Sequence, residues 1–163
     1  LNPMTEGQTI RVPIPPLRLA ELEQHLFIVF SGIQRKASDV VAKQLRRVAE
    51  NSRLLHSMHD MVYEGYDILT NNRPWRQFGE LLHRAWVAKR GLDTGVSTSE
   101  IDGIYERGLS SGAWGGKLLG AGAGGFIVFV APPETHGALR AVFANHQLLS
   151  VKLNAPGSQI IYS

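Results

Sequence analysis

The residues most able to do chemistry lie in one run, Gly115-Gly116-Lys117-Leu118-Leu119-Gly120-Ala121-Gly122-Ala123-Gly124-Gly125, which passes directly into the apolar stretch Phe126-Ile127-Val128-Phe129-Val130. Glycine loses more backbone freedom on folding than any other residue, so such a run destabilises a fold unless positive φ or close approach is required there. The chemistry it suggests is the acceptance of an anion by backbone amides, with Lys117 beside them. Two familiar nucleotide patterns fail. Gly120, Gly122 and Gly125 spell G-x-G-x-x-G, but that fingerprint follows a strand and opens a helix, whereas here a β-rich run follows the glycines. A P-loop needs glycine five places before Gly116 and a hydroxyl after Lys117; the chain has Ser111 and Leu118. What remains is an antiparallel hairpin of strands over 117–119 and 126–130, its loop amides pointing outward as a nest.

A second candidate is Ser31-Gly32-Ile33-Gln34-Arg35. It follows the apolar run 25–30, expected to be a buried strand, and precedes a helix with Val40, Val41, Leu45 and Val48 at helical spacing. Helix-start amides and a guanidinium suit an anion. An ordinary helix cap with a solvent-facing Arg35 fits the same residues. His56, His59 and Asp60 share a helical stretch, but nothing nearby completes a metal set, and no metal ligand is expected in this chain.

The elements that must position these groups follow from periodicity and breakers. Pro3, Pro13, Pro15 and Pro16 mark a connecting segment over 1–24, with an edge strand over 10–14 and a short helical turn over 19–23. Helices are expected over 52–69 and 75–90, separated by Asn71-Asn72-Arg73-Pro74 and closed by Gly91. His83, Trp86 and Lys89 share one face of the second of these, where packing and closure of the core edge account for them. Ser97 and Glu100 form a capping box for a helix to about residue 111. A helix over 133–145 with Leu139, Val142 and Phe143 inward, then strands over 148–153 and 158–162, complete an α+β sandwich.

The 163 residues suit one domain with a real core, and 44% hydrophobic with 19% charged residues is an ordinary folded composition. The net charge of +3 is spread among acids, with no basic stripe, so no nucleic-acid partner is expected. No run is long and apolar enough for a membrane span. With no cysteine, disulfides and thiol catalysis are excluded, and a cytoplasmic location is the expectation.

G-G-K-L-L-G-A-G-x-G-G-F followed by an apolar strand resembles the third motif of the GHMP kinases, the group of galactokinase, homoserine kinase, mevalonate kinase and phosphomevalonate kinase. Strand, S/T-G-x-x-R-x-A, helix at 31–37 is similar to the opening of the C-terminal domain in the heptose-phosphate and fucose kinase branch, as is the phrase from Gly79 to Lys89. The resemblance implies a ferredoxin-like C-terminal domain over 25–163: an antiparallel sheet, helices on one side and a helical insertion. It implies that Gly116, Gly120, Ala121, Gly122, Ala123, Gly124 and Gly125 border the ATP phosphates, and that Ser31, Gly32, Arg35 and Lys117 serve a sugar or its phosphate. In that group the P-x-x-x-G-L-x-S-S loop and the catalytic Asp and Lys belong to an N-terminal domain, which is also expected to hold most of the ATP and Mg2+. The partners implied are therefore an N-terminal kinase domain and a sugar or sugar phosphate, with a homodimer left open. A non-catalytic ferredoxin-like module that binds a small anion or a partner chain is the alternative expectation.

Overall fold

The computed structural model describes residues 12–34 and 48–153. Helix α1, Pro16–His25, starts on a proline whose missing N–H and fixed φ suit a first turn. It extends well beyond the short turn expected, and His25 closes it instead of opening the strand. Strand β1 is Leu26–Phe30. Helices α2, Ser52–Thr70, and α3, Trp75–Arg90, match the spacing of their apolar residues, and Pro74 fixes the start of α3. Gly91 caps α3 with an ordinary right-handed φ of −66°, so its lack of a side chain is not used for a left-handed turn.

Helix α4 is Ser99–Ser110, and its cap lies one residue later than the Ser97 box predicted. Thr98 Oγ1 accepts the amide of Ile101 at 3.3 Å, while Ser97 donates to Asp102 at 2.7 Å. Thr98→Ala should therefore lower the unfolding free energy by about 1 kcal/mol, read as a shift in urea midpoint, and Ser97→Ala by less.

Strands β2, Gly115–Leu118, and β3, Phe126–Val130, form the predicted hairpin. After β3, Pro133–Thr135 makes a 3-10 turn and α5 occupies His136–Val142, shorter than the helix expected. Leu139 and Phe143 are fully buried, but Val142 faces outward. Strand β4 is confined to Leu148–Leu149. Residues 12–14 form no strand, and the strand expected over 158–162 and the helix carrying Val40, Val41 and Leu45 lie outside the described residues.

The described sheet has the order β2-β3-β1-β4 with every pair antiparallel, Phe30 opposite Phe126 and Lys117 opposite Val128. Phe27, Val29, Ile127 and Phe129 project from one face onto Ile101, Ile104 and Tyr105 of α4 and Leu139 of α5. Tyr105 stacks on Phe129 at 5.7 Å and Phe129 on Phe143 at 6.0 Å, giving this layer an aromatic spine. Gly108 allows that spine its position, since a Cβ there would lie 2.3 Å from Phe129 Cζ.

Helix α3 runs alongside β2, with α2 packed on its other side. A Cβ on Gly115 would fall 2.0 Å from the Gly79 carbonyl oxygen of α3, so β2 begins in glycine because a helix backbone lies against it. The outer edge of β2 is closed by Tyr105, whose hydroxyl donates to the Gly116 carbonyl at 3.1 Å and meets His83 Nδ1 at 2.8 Å. Burial pushes that phenol well above its usual pKa, keeping it a neutral donor.

Candidate functional site

The turn between β2 and β3 repeatedly enters positive φ: Gly120, Gly122, Ala123 and Gly125 have φ of 78°, 127°, 59° and 100°. Glycine takes these angles without steric cost, and Ala123 alone carries a Cβ through them. Ala123 is 2% exposed and its N–H donates to the Val96 carbonyl at 2.8 Å. The Gly125 N–H donates to Ile33 O at 2.9 Å, and Gly125 O accepts from Ser31 N at 2.9 Å. A Cβ on Gly124 would stand 2.6 Å from that same Ile33 oxygen. The outward nest predicted for the loop amides is therefore not formed at Ala123 or Gly125, which turn inward and fasten the loop to its neighbours. Gly120 is exposed, with nothing within 4 Å of where a Cβ would stand, and Ala121, Gly122, Gly124 and Gly125 are half-buried.

The second predicted group is brought to the same place. Ser31 directly follows β1, is 9% exposed, and its Oγ accepts the Ile33 amide at 3.2 Å, a local turn that leaves Gly32 at φ 79° and exposed. The hairpin loop and this corner are thus laced together through Ser31, Ile33 and Gly125. Arg35 lies outside the described residues. Lys117 is half-buried on β2, and Gly116, beside it, is buried, with its carbonyl committed to Tyr105.

One side chain that the sequence analysis assigned to a packing face is brought to the loop instead. Lys89, in the last turn of α3, donates from Nζ to the Gly120 carbonyl. Burial, and secondarily the charge of Lys117, lowers its pKa. The clue was the alignment of His83, Trp86 and Lys89 on one helix face. What could not be read was that α3 runs beside β2 and so delivers the last of the three to the loop.

A polyanion fits this arrangement on two grounds: left-handed glycine backbone at the surface, and two ammonium groups at its edge with no ion pair to a carboxylate among the described residues. The described residues contain no group of three or more His, Asp or Glu placed to hold a metal ion. His56 instead bonds the Ser52 carbonyl through Nδ1, and His59 sits 4.0 Å from Asp60 on the exposed face of α2.

The hairpin, its packing helices and the following α5 coincide with a known family. Residues 68–146 match the family model described as GHMP kinases C terminal. The chain carries a GHMP kinase C-terminal domain. Its curated relatives include sugar kinases. It is 28% identical over 140 residues to the D-glycero-alpha-D-manno-heptose 7-phosphate kinase of Campylobacter jejuni, covering 81% of this chain and 41% of that one. It is 31% identical over 153 residues to the bifunctional fucokinase/GDP-fucose pyrophosphorylase of Arabidopsis thaliana, covering 90% of this chain and 14% of that protein. The chain thus spans well under half the length of either relative. Among solved structures, L. major mevalonate kinase in complex with R-mevalonate shares the fold with a TM-score of 0.64 at 23% identity, over 74% of this chain and 37% of that one. The GHMP domain thus has the mixed helix and antiparallel-sheet architecture expected. No helix among the described residues is long and apolar enough to cross a membrane.

Proposed function

We propose that this GHMP domain is the C-terminal half of an ATP-dependent sugar kinase that transfers the γ-phosphoryl group of ATP to a sugar hydroxyl, such as the anomeric hydroxyl of heptose 7-phosphate. The observation that carries the reading is the fastened left-handed loop at 120–125, joined to the Ser31-Gly32 corner and flanked by Lys89 and Lys117. Phosphoryl transfer depends on positioning and on neutralising charge spread over phosphate oxygens, with little covalent work for the protein. Gly120 to Gly125 supply a rigid wall against which nucleotide phosphates, or the loop holding them, come close. In this reading Ser31, Gly32 and Arg35 serve the sugar or its phosphate, Arg35 by the motif alone. The metal-binding carboxylate and the group that takes the hydroxyl proton come from the N-terminal partner domain, and Mg2+ supplies charge neutralisation there.

The test joins this chain to a phosphate-loop domain of the P-x-x-x-G-L-x-S-S type and follows ADP release with heptose 7-phosphate and with fucose. The joined protein should turn over ATP and the 163-residue chain alone should not. Gly122→Val, which puts a β-branched residue at a φ of 127°, should reduce turnover at least about a hundredfold through misplacement of the loop. A normal rate in that variant, or robust ATP turnover by the isolated chain, defeats the assignment.

A further inference from the structure

Lys89 and Lys117 reach the hairpin from different elements. Helix α3 runs along β2 from Gly79, pressed on Gly115, to Lys89, whose Nζ donates to the Gly120 carbonyl, and Lys117 stands on β2 three residues before that carbonyl. The other cations around α3 are matched. Arg76 pairs with Glu80, Arg84 with Glu64 and Arg90 with Asp102, whereas neither lysine has a carboxylate within ion-pair distance among the described residues. An ammonium has three donors and no acceptor. Lys89 spends one on Gly120, and Lys117 has no hydrogen-bond acceptor among the described residues.

A lysine in the last turn of a helix can serve that helix's own terminal carbonyls. Lys89 instead crosses to the loop and sits half-buried near a second positive charge, an arrangement that raises the energy of the empty site. Burial and Lys117 both disfavour its charged form. An oxyanion held between the two ammonium groups removes that repulsion and forms charge-assisted hydrogen bonds, which are about twice as strong as neutral ones. Gly120, whose carbonyl Lys89 contacts, is itself left-handed, with a φ of 78°.

We propose that Lys89 and Lys117 form a two-ammonium clip that grips one phosphate group at the edge of the glycine loop. The clip belongs to the site of the proposed kinase and rests on that site handling phosphate. Two sources share this chemistry, the nucleotide and a phosphorylated sugar.

The 163-residue chain is titrated with inorganic phosphate at neutral pH and low salt, with the heat of binding and lysine side-chain NMR shifts as readouts. Lys89→Met and Lys117→Met should each weaken phosphate binding about tenfold, as expected for loss of one hydrogen bond to a charged group. Lys89→Arg should retain it, and glucose should not shift either lysine. Binding in the Lys89→Met/Lys117→Met double variant equal to wild type overturns the clip, as does equal competition by chloride. Lys117→Met leaves the Lys89 contact to Gly120 intact and so carries the test if Lys89→Met fails to fold. Titrations with ATP and with glucose 6-phosphate identify the source, since the clip's ligand is the one whose affinity falls in both variants. If wild type binds phosphate through both lysines while the joined protein shows no turnover, the clip stands and the kinase assignment falls. If the joined double variant turns over at the wild-type rate, the clip falls and the kinase assignment stands.

Discussion

Gly115→Ala should abolish the stable fold, or lower its unfolding free energy by more than about 3 kcal/mol, although it adds a single methyl group. The new Cβ would lie 2.0 Å from Gly79 O, 2.7 Å from Gly79 C and 3.0 Å from His83 Cβ. Two of those atoms are helix backbone, so relief requires α3 to withdraw from β2. That movement would also part His83 from Tyr105 and draw Lys89 from Gly120, loosening the strand edge and the loop together. Gly103→Ala is the control. Gly103 lies inside α4 with nothing within 4 Å of the added carbon, so alanine should stabilise the protein by roughly 0.5–1 kcal/mol through its higher helix propensity. Urea unfolding of the two variants should move the midpoint in opposite directions. Equal and small shifts would mean that α3 does not press on β2 as described.

Arg18→Met should be nearly as damaging, at about 3 kcal/mol in the same measurement, and Arg18→Lys should recover only part of the loss. Arg18 is 7% exposed, and its guanidinium is satisfied by oxygen atoms of neutral groups: Ile68 O at 2.7 Å, Leu69 O at 3.2 Å, Arg73 O at 2.6 Å and Asn72 Oδ1 at 3.1 Å. These carbonyls end α2 and the turn after it, where the helix macrodipole is negative and the last C=O groups lack helical partners. The same group lies 4.0 Å above the Trp75 ring that begins α3. One side chain from α1 therefore caps α2 and seats α3. Methionine fills the volume but leaves buried carbonyls without donors, and lysine restores the charge without the planar fork.

The parts of this architecture written most plainly in the sequence are those set by local chemistry. The run 126–130 is a strand because five apolar, β-favouring residues follow a glycine-rich turn, and α3 begins at Trp75 because Pro74 precedes a helical apolar repeat. The glycine hairpin was visible for the same reason, since few structures tolerate so flexible a backbone. Features decided by distant neighbours were not legible. Strand β2 starts at Gly115 and not at Lys117 because Gly115 and Gly116 pair with Val130 and Phe129, and Gly115 leaves room for the α3 backbone, contacts no local propensity encodes. The Ala123 and Gly125 amides turn inward because Val96 and Ile33 present carbonyls there. Val142 has the right spacing to face the core, but α5 ends at that residue and Phe143 fills the space. At the candidate site, Ser31, Gly32 and Lys117 were nameable from motif shape, whereas Lys89 required knowing which strand its helix accompanies.

Ala123, the one loop residue whose Cβ resists a left-handed backbone, is also the one most deeply packed and tied to Val96. The second half of the turn is consequently fastened by the fold's own contacts at Ala123 and Gly125. An incoming anion would then spend little free energy on immobilising the backbone it meets, so tight capture would not require a large contact area.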